Sequence, residues 1–234
     1  MTLLFKKILN FAKKTVIGFM LLSVVLIVVM RWVDPLSSMI MIQRKISNWE
    51  VKQQRIWKSW DEISDNIKLA VIASEDQNFP NHWGFDFNAI NLALIYNQKQ
   101  KKIRGASTIT QQVAKNIFLW SSRSWIRKGI ETWLTLWIEL IWPKQRILEI
   151  YLNSVEWGDG IFGIEAASYH YFNVNAKQLT PTQASLLAAT LPNPRKWNPT
   201  KPSVNIQKKA QWIRMQINNL GGKQYLNQIK KTKN

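Results

Sequence analysis

The run Thr15 to Met30, TVIGFMLLSVVLIVVM, holds sixteen residues without a charge, and it constrains this chain more than any other feature. Trp32 and Val33 extend the apolar stretch past Arg31. At ~1.5 Å per residue a helix over residues 15–33 spans roughly 28 Å, close to the hydrocarbon thickness of a bilayer. Arg31 can snorkel and Trp32 can sit among headgroups. A cleaved signal peptide is the competing reading, but the segment is long for one and no Ala-x-Ala site follows Met30, so a retained anchor is expected. Lys6, Lys7, Lys13 and Lys14 precede the run. By the positive-inside rule they keep residues 1–14 in the cytoplasm and send everything after about residue 34 across the membrane. Arg31, Arg44 and Lys45 weaken that bias without reversing it.

The remainder of a 234-residue chain suffices for one domain with a real core. Residues 34–54 read as a juxtamembrane segment, 55–203 as the domain and 204–234 as a basic, helical tail. A helical pattern begins at Asp61 and runs to Ala73, with Ile63, Ile67, Ala70 and Val71 on one face and Glu75 at its end. Phe87 to Tyr96 reads as another helix, and Asn97 to Arg104 as a polar, cationic connection. From Ile126 to Ile141 the set Ile126, Ile130, Trp133, Leu134, Trp137 and Ile141 follows 3.6-residue spacing and predicts a core-facing helix. Pro143 suits the first turn of the next one, which buries Ile147, Leu148, Tyr151 and Leu152. Gly158, Gly160 and Gly163 then break the pattern, and alanine-rich helices follow at Glu165 to Tyr169 and Thr182 to Ala189.

Charge narrows the chemistry. With 32 Lys and Arg against 14 Asp and Glu, a formal +18, the preferred partners are anionic: nucleic acid, acidic phospholipid or a phosphorylated substrate. The absence of cysteine removes disulfides, thiolate catalysis and cysteine-ligated zinc. Glu75 follows the apolar run Leu69 to Ala73, a setting that desolvates a carboxylate and makes it a stronger base; a capping or surface role is the plain alternative. His82 is read as a hydrogen-bonded histidine holding a turn against Trp83 and Gly84. After Gly105, the hydroxyls and amides of Ser107, Thr108, Gln111 and Gln112 can donate to phosphate or sugar oxygens at a helix start. Capping accounts for Ser107 or Thr108 but leaves two glutamines and Lys115, spaced along one helical face, unexplained. Arg127 and Glu131 share a face, whereas Glu139 is rotated by roughly 120° from Arg127 and is expected to act elsewhere.

These places, taken together, resemble the family 51 glycosyltransferases that polymerise lipid-linked disaccharide into glycan strands. Glu75-Asp76-x-x-Phe79-x-x-His82-x-Gly84 is the family's first motif complete; Gly105-Ala106-Ser107-Thr108-Ile109-Thr110-Gln111-Gln112 is the second, with Ala106 where many members have glycine. Arg127, Lys128 and Glu131 form the third, with Thr135 at a position often alanine. Lys144, Ile147, Leu148, Glu149, Tyr151, Leu152 and Asn153 look like the fourth. Tyr171, Phe172, Leu179, Thr180 and Ala184 to Ala189 look like the fifth, with Gln183 where glutamate is frequent. The match covers about residues 55 to 200.

The resemblance implies a mostly α, lysozyme-like glycosyltransferase domain with a small membrane-contacting jaw, preceded by one transmembrane helix. Ile117-Phe118-Leu119-Trp120 with Trp125 is the expected jaw surface; core packing is expected for Trp133 and Trp137. It implies an inverting transfer from lipid II that releases undecaprenyl diphosphate, with Glu75 as general base. Lys115, Arg123, Arg127 and Lys128 would neutralise the diphosphate, and Glu131 would orient those cations or help hold a divalent cation, Mg2+ or Mn2+; no organic cofactor is expected. Asp76, Phe79, His82, Ser107, Thr108, Gln111, Gln112 and Asn153 complete the expected substrate site. Implied partners are lipid II, the nascent glycan strand, membrane lipids, and cross-linking and division proteins. A single pass in the inner (cytoplasmic) membrane would put the domain on the periplasmic, outer side. The chain has no Ser-x-x-Lys, and Ser64-Asp65-Asn66 matches a penicillin-binding element by coincidence, so a monofunctional polymerase is expected. The rivals are a lysozyme-like glycan-cleaving enzyme and a membrane-tethered polyanion-binding module. Nucleic acid would be out of reach outside the cytoplasmic membrane.

Overall fold

The computed structural model describes residues 2–99, 105–122 and 124–231, and is mostly helical. It divides into two compact units, Met1–Pro35 and Leu36–Asn234. The first contains α1 (Thr2–Met30), whose stretch Phe5–Met30 is 26 residues long and apolar enough to cross a membrane. The helix ends three residues short of the expected Val33. Pro35 disfavours helical backbone at Asp34, and Trp32 and Val33 both close their last turn on the Val29 carbonyl.

The second unit is built around α3 (Asp65–Glu75). Every residue from Ile67 to Ala73 is buried, so this helix is wrapped on all sides rather than presenting one apolar face. It starts at Asp65 and not Asp61: Trp60–Glu62 form a separate 3-10 turn, and Ser64 caps α3 by accepting from the Asn66 N–H. Helices α9 (Pro181–Thr190) and α10 (Val204–Asn219) pack against α3. Helix α5 (Ile109–Phe118) lies against α6 (Trp125–Ile141) and α7 (Lys144–Ser154). The remaining helices are α2 (Met39–Ser47), α4 (Phe87–Lys99), α8 (Ile164–Phe172) and α11 (Tyr225–Lys231). A small sheet of β1 (Gln54–Arg55), β2 (Glu156–Gly158) and β3 (Ile161–Phe162) has β3 in the middle, parallel to β1 and antiparallel to β2. Residues 36–54 and 204–231 thus fold within the same compact unit as the rest.

Two expected faces are corrected. Of the stripe assigned to the core on α6, only Leu134 is buried; Ile126 is 75% exposed, and Ile130, Trp133, Trp137 and Ile141 are half-buried. The inward face instead carries Glu131, Leu134, Thr135, Ile138 and Glu139. The expected jaw surface holds only in part: Trp120 and Trp125 are exposed, whereas Ile117 and Leu119 are buried. Trp133 and Trp137 meet edge to face at 5.4 Å on the half-buried side.

Candidate active site

Two hydrogen-bonded networks assemble the site. The first joins the end of α3 to the start of α5. Asp76 caps α3 and is buried; its Oδ2 accepts from the Ile109 N–H at 3.0 Å, placing a carboxylate at the N-terminus of α5. His82 is buried beside it, with Nε2 at 2.9 Å and 3.0 Å from the two Asp76 oxygens. The Gly84 N–H donates to His82 Nδ1, so Nδ1 is an acceptor, and the ring proton resides on Nε2, where it donates to Asp76. Thr108 Oγ1 donates to the Gly84 carbonyl at 2.7 Å and caps α5 in a reciprocal box with Gln111. Gly84 itself has φ +78°, and a Cβ there would lie 2.6 Å from Thr135 Cγ2; the turn needs glycine both for its backbone and for the close approach of α6.

This scaffold sets Glu75 against Gln112. Glu75 is half-buried; its Oε2 accepts from Gln112 Nε2 at 3.0 Å and its Oε1 from Ser74 Oγ at 3.2 Å. The buried Tyr151 hydroxyl donates to Gln112 Oε1 and so orients that amide toward the carboxylate. One turn along α5, Lys115 is half-buried, and burial pushes its ammonium pKa down while nearby Glu131 opposes the shift.

The second network is cationic. Glu131 is buried, with one oxygen taken by Arg127 Nη1 and the other by Lys128 Nζ. Arg127 is also held at its Nε by the Ser122 carbonyl and at its N–H by Ser124 Oγ. Glu139 belongs elsewhere, as expected: it is buried with Lys144 Nζ at 2.8 Å and accepts from Thr110 Oγ1. A metal does not fit Glu131. Both its oxygens are engaged by cations, and among the described residues no group of three or more His, Asp and Glu could hold an ion.

Several of the expected site residues are buried and bonded within the protein. Phe79 is fully buried under His82 and the Lys144 ammonium. Asn153 is fully buried, with Oδ1 accepting from the Lys58 N–H and Nδ2 donating to the Lys58 and Glu149 carbonyls. Gln111 is spent in the capping box, so capping explains one of the two glutamines and Gln112 alone reaches Glu75. Asp76, His82 and Thr108 make their hydrogen bonds within the scaffold. Ser107 is exposed at the cavity edge, and Arg123 lies outside the described residues.

Glu75 opens on a cavity of about 600 Å³, lined by the residues following it, the 105–108 loop, the start of α4, and Trp212 and Gln216 of α10. The last two had no signal beyond a basic helical pattern. Glu75 is a carboxylate on this cavity bound to Gln112, and Lys115 lies one turn beyond Gln112 on α5; such a pairing can deprotonate a hydroxyl and stabilise an anionic leaving group.

The transglycosylase family profile matches residues 43–218. The chain is 54% identical over 224 residues to the biosynthetic peptidoglycan transglycosylase of Pseudomonas fluorescens strain Pf-5, covering 94% of this chain and 93% of that protein. It is 55% identical over 221 residues to the similarly named protein of Stutzerimonas stutzeri strain A1501, covering 93% and 91%. A third, from Pseudomonas fluorescens strain Pf0-1, is 56% identical over 208 residues, covering 87% of each.

Proposed function

The chain belongs to the transglycosylase family and is a peptidoglycan glycosyltransferase, and from that premise we propose that it polymerises lipid II by inverting transfer, releasing undecaprenyl diphosphate. The observation that carries this reading is Glu75 held by Gln112 at the cavity, with Lys115 one turn along the same helix facing the Arg127–Lys128–Glu131 cluster. The 4-hydroxyl of one lipid-linked disaccharide attacks the anomeric carbon of the growing strand. Glu75 takes the hydroxyl proton as the new C–O bond forms. The anomeric C–O bond to the diphosphate breaks on the opposite face, and Lys115, Arg127 and Lys128 meet the charge that leaves with it. Glu131 orients two of those cations. A divalent cation, Mg2+ or Mn2+, is assigned to the substrate's diphosphate rather than to a protein carboxylate.

The proposed setting is the inner membrane, with α1 as anchor, its four lysines in the cytoplasm and the catalytic unit outside, working beside separate cross-linking and division proteins. Exposed apolar side chains on α4 and α6, Phe87, Leu92, Trp125 and Ile126 among them, suit a jaw dipped into the lipid from which the substrate is drawn.

The test is incubation of the detergent-solubilised full-length protein with labelled lipid-linked disaccharide-pentapeptide and a divalent cation, beside Glu75→Gln. Expected are long lysozyme-sensitive strands from the native protein and a loss of about a hundredfold or more in rate with Glu75→Gln, substrate affinity being retained. Full activity in that variant would remove Glu75 as the base; shortened glycan from polymeric substrate would favour a cleaving enzyme.

A further inference from the structure

Resting on the polymerase reading above, we infer that Trp212 and Gln216 of α10 form a binding wall for the sugar of the lipid-linked substrate, distinct from the cationic cluster that receives its diphosphate. The helix is firmly seated. Ile206, Ala210 and Ile213, at helical spacing, are buried where α10 meets α3 and α9, and Tyr225, which begins α11, donates its hydroxyl to the Gln77 carbonyl two residues past Glu75. Trp212 and Gln216, four residues apart, therefore emerge together on an adjacent face, and both line the cavity onto which Glu75 opens. Trp212 stays 40% exposed there, so a large apolar surface faces the cavity instead of the core.

The character of the wall points to the ligand. In a chain of net charge +18, the described lining includes Glu75, Asp76 and Asp86 but no lysine or arginine. A diphosphate would be repelled from such a cavity and drawn to Lys115, Arg127 and Lys128. An uncharged, polyhydroxylated ligand meets the opposite situation. Asn78, Asn88 and Gln216 offer both donors and acceptors to hydroxyl and acetamido groups. Trp212 is the one aromatic side chain among the described lining residues, and its indole supplies a flat apolar surface for the C–H face of a pyranose. About 600 Å³ is ample for a sugar unit and within the usual range of small-molecule sites. Lys209, three residues before Trp212, is half-buried and electrostatically coupled to Glu75, which ties α10 to the base as well as to the cavity.

The test compares two readouts on the full-length protein: KM for lipid-linked disaccharide-pentapeptide, and inhibition of polymerisation by added undecaprenyl diphosphate. Trp212→Ala is expected to raise KM about tenfold and Gln216→Ala to raise it a few-fold, with inhibition by the diphosphate unchanged. Trp212→Phe, which keeps a flat ring, should recover most of the loss. Lys115→Ala should show the reverse pattern, losing inhibition foremost. A KM for Trp212→Ala equal to the native value, or KM and inhibition weakened equally, overturns the sugar wall. If thermal melting shows that Trp212→Ala does not fold, Trp212→Leu replaces it under the same criteria, since it keeps apolar bulk without a flat face. Absence of polymer from the native protein would instead refute the polymerase reading itself, so the two failures are distinct.

Discussion

The burial of Lys115 predicts a pH dependence for polymerisation. Burial pushes its pKa below the ordinary lysine value of 10.5, with Glu131 opposing the shift, so as pH rises its charge is lost before exposed lysines titrate. Polymerisation should therefore fall on the alkaline side at a pH below that of ordinary lysine titration. Lys115→Arg keeps its charge throughout and should move that limb to higher pH, read from initial rates between about pH 7 and 11. The sign for folding is opposite: with the folded-state pKa lowered, the unfolded chain binds more protons between the two pKa values, and this group's contribution to stability increases through that window. A fall in activity that tracks unfolding would contradict the assignment. Residue by residue, Gln112 and Lys115 are legible as a pair because they are three apart on one helix, whereas Glu75, on α3, stood out only through the family motif and meets Gln112 by tertiary packing. Gln111 is not separable from Gln112 by type; it is turned inward because Thr108 needs a reciprocal partner three residues on.

Between elements, the governing contact is the buried pair Glu139–Lys144, which links the end of α6 to the start of α7 while Lys144 also donates to the His82 carbonyl. Glu139→Ala would leave a buried ammonium without its carboxylate and should cost about 3–5 kcal/mol, seen as a lower midpoint in denaturant unfolding; a loss under about 1 kcal/mol would show the pair to be dispensable. Glu131, Thr135 and Glu139, four residues apart, form the inward stripe of α6. The apolar stripe therefore indicated the wrong side. Hydrophobic periodicity identifies a helix and an apolar face but cannot say whether core or lipid covers that face. Of the caps, Thr108 was within the sequence expectation, while Ser64 and the Thr180–Gln183 box emerge from the structure; each of the three accepts from a backbone N–H two or three residues on.

Across the whole molecule, the outward apolar side chains of α4 and α6 include Phe87 at 72% exposure and Trp125 at 92%, the side chains proposed to meet lipid. Replacing Trp125 and Ile126 together by serine should leave stability within about 0.5 kcal/mol per site, because neither is in the core, yet lower polymerisation several-fold with substrate embedded in liposomes. Equal rates in liposomes would remove that face from the proposed membrane contact. The apolar run, the helix periods and the motif carrying Glu75 were readable from the chain alone, because each depends on a pattern within a few residues or on a length set against a bilayer. Folding in three dimensions supplied the orientation of α6, the burial of Phe79 and Asn153, and the placement of Trp212 and Gln216 beside Glu75, well over a hundred residues away in sequence. Those outcomes depend on which surfaces exclude water from one another, and no local pattern encodes the partner.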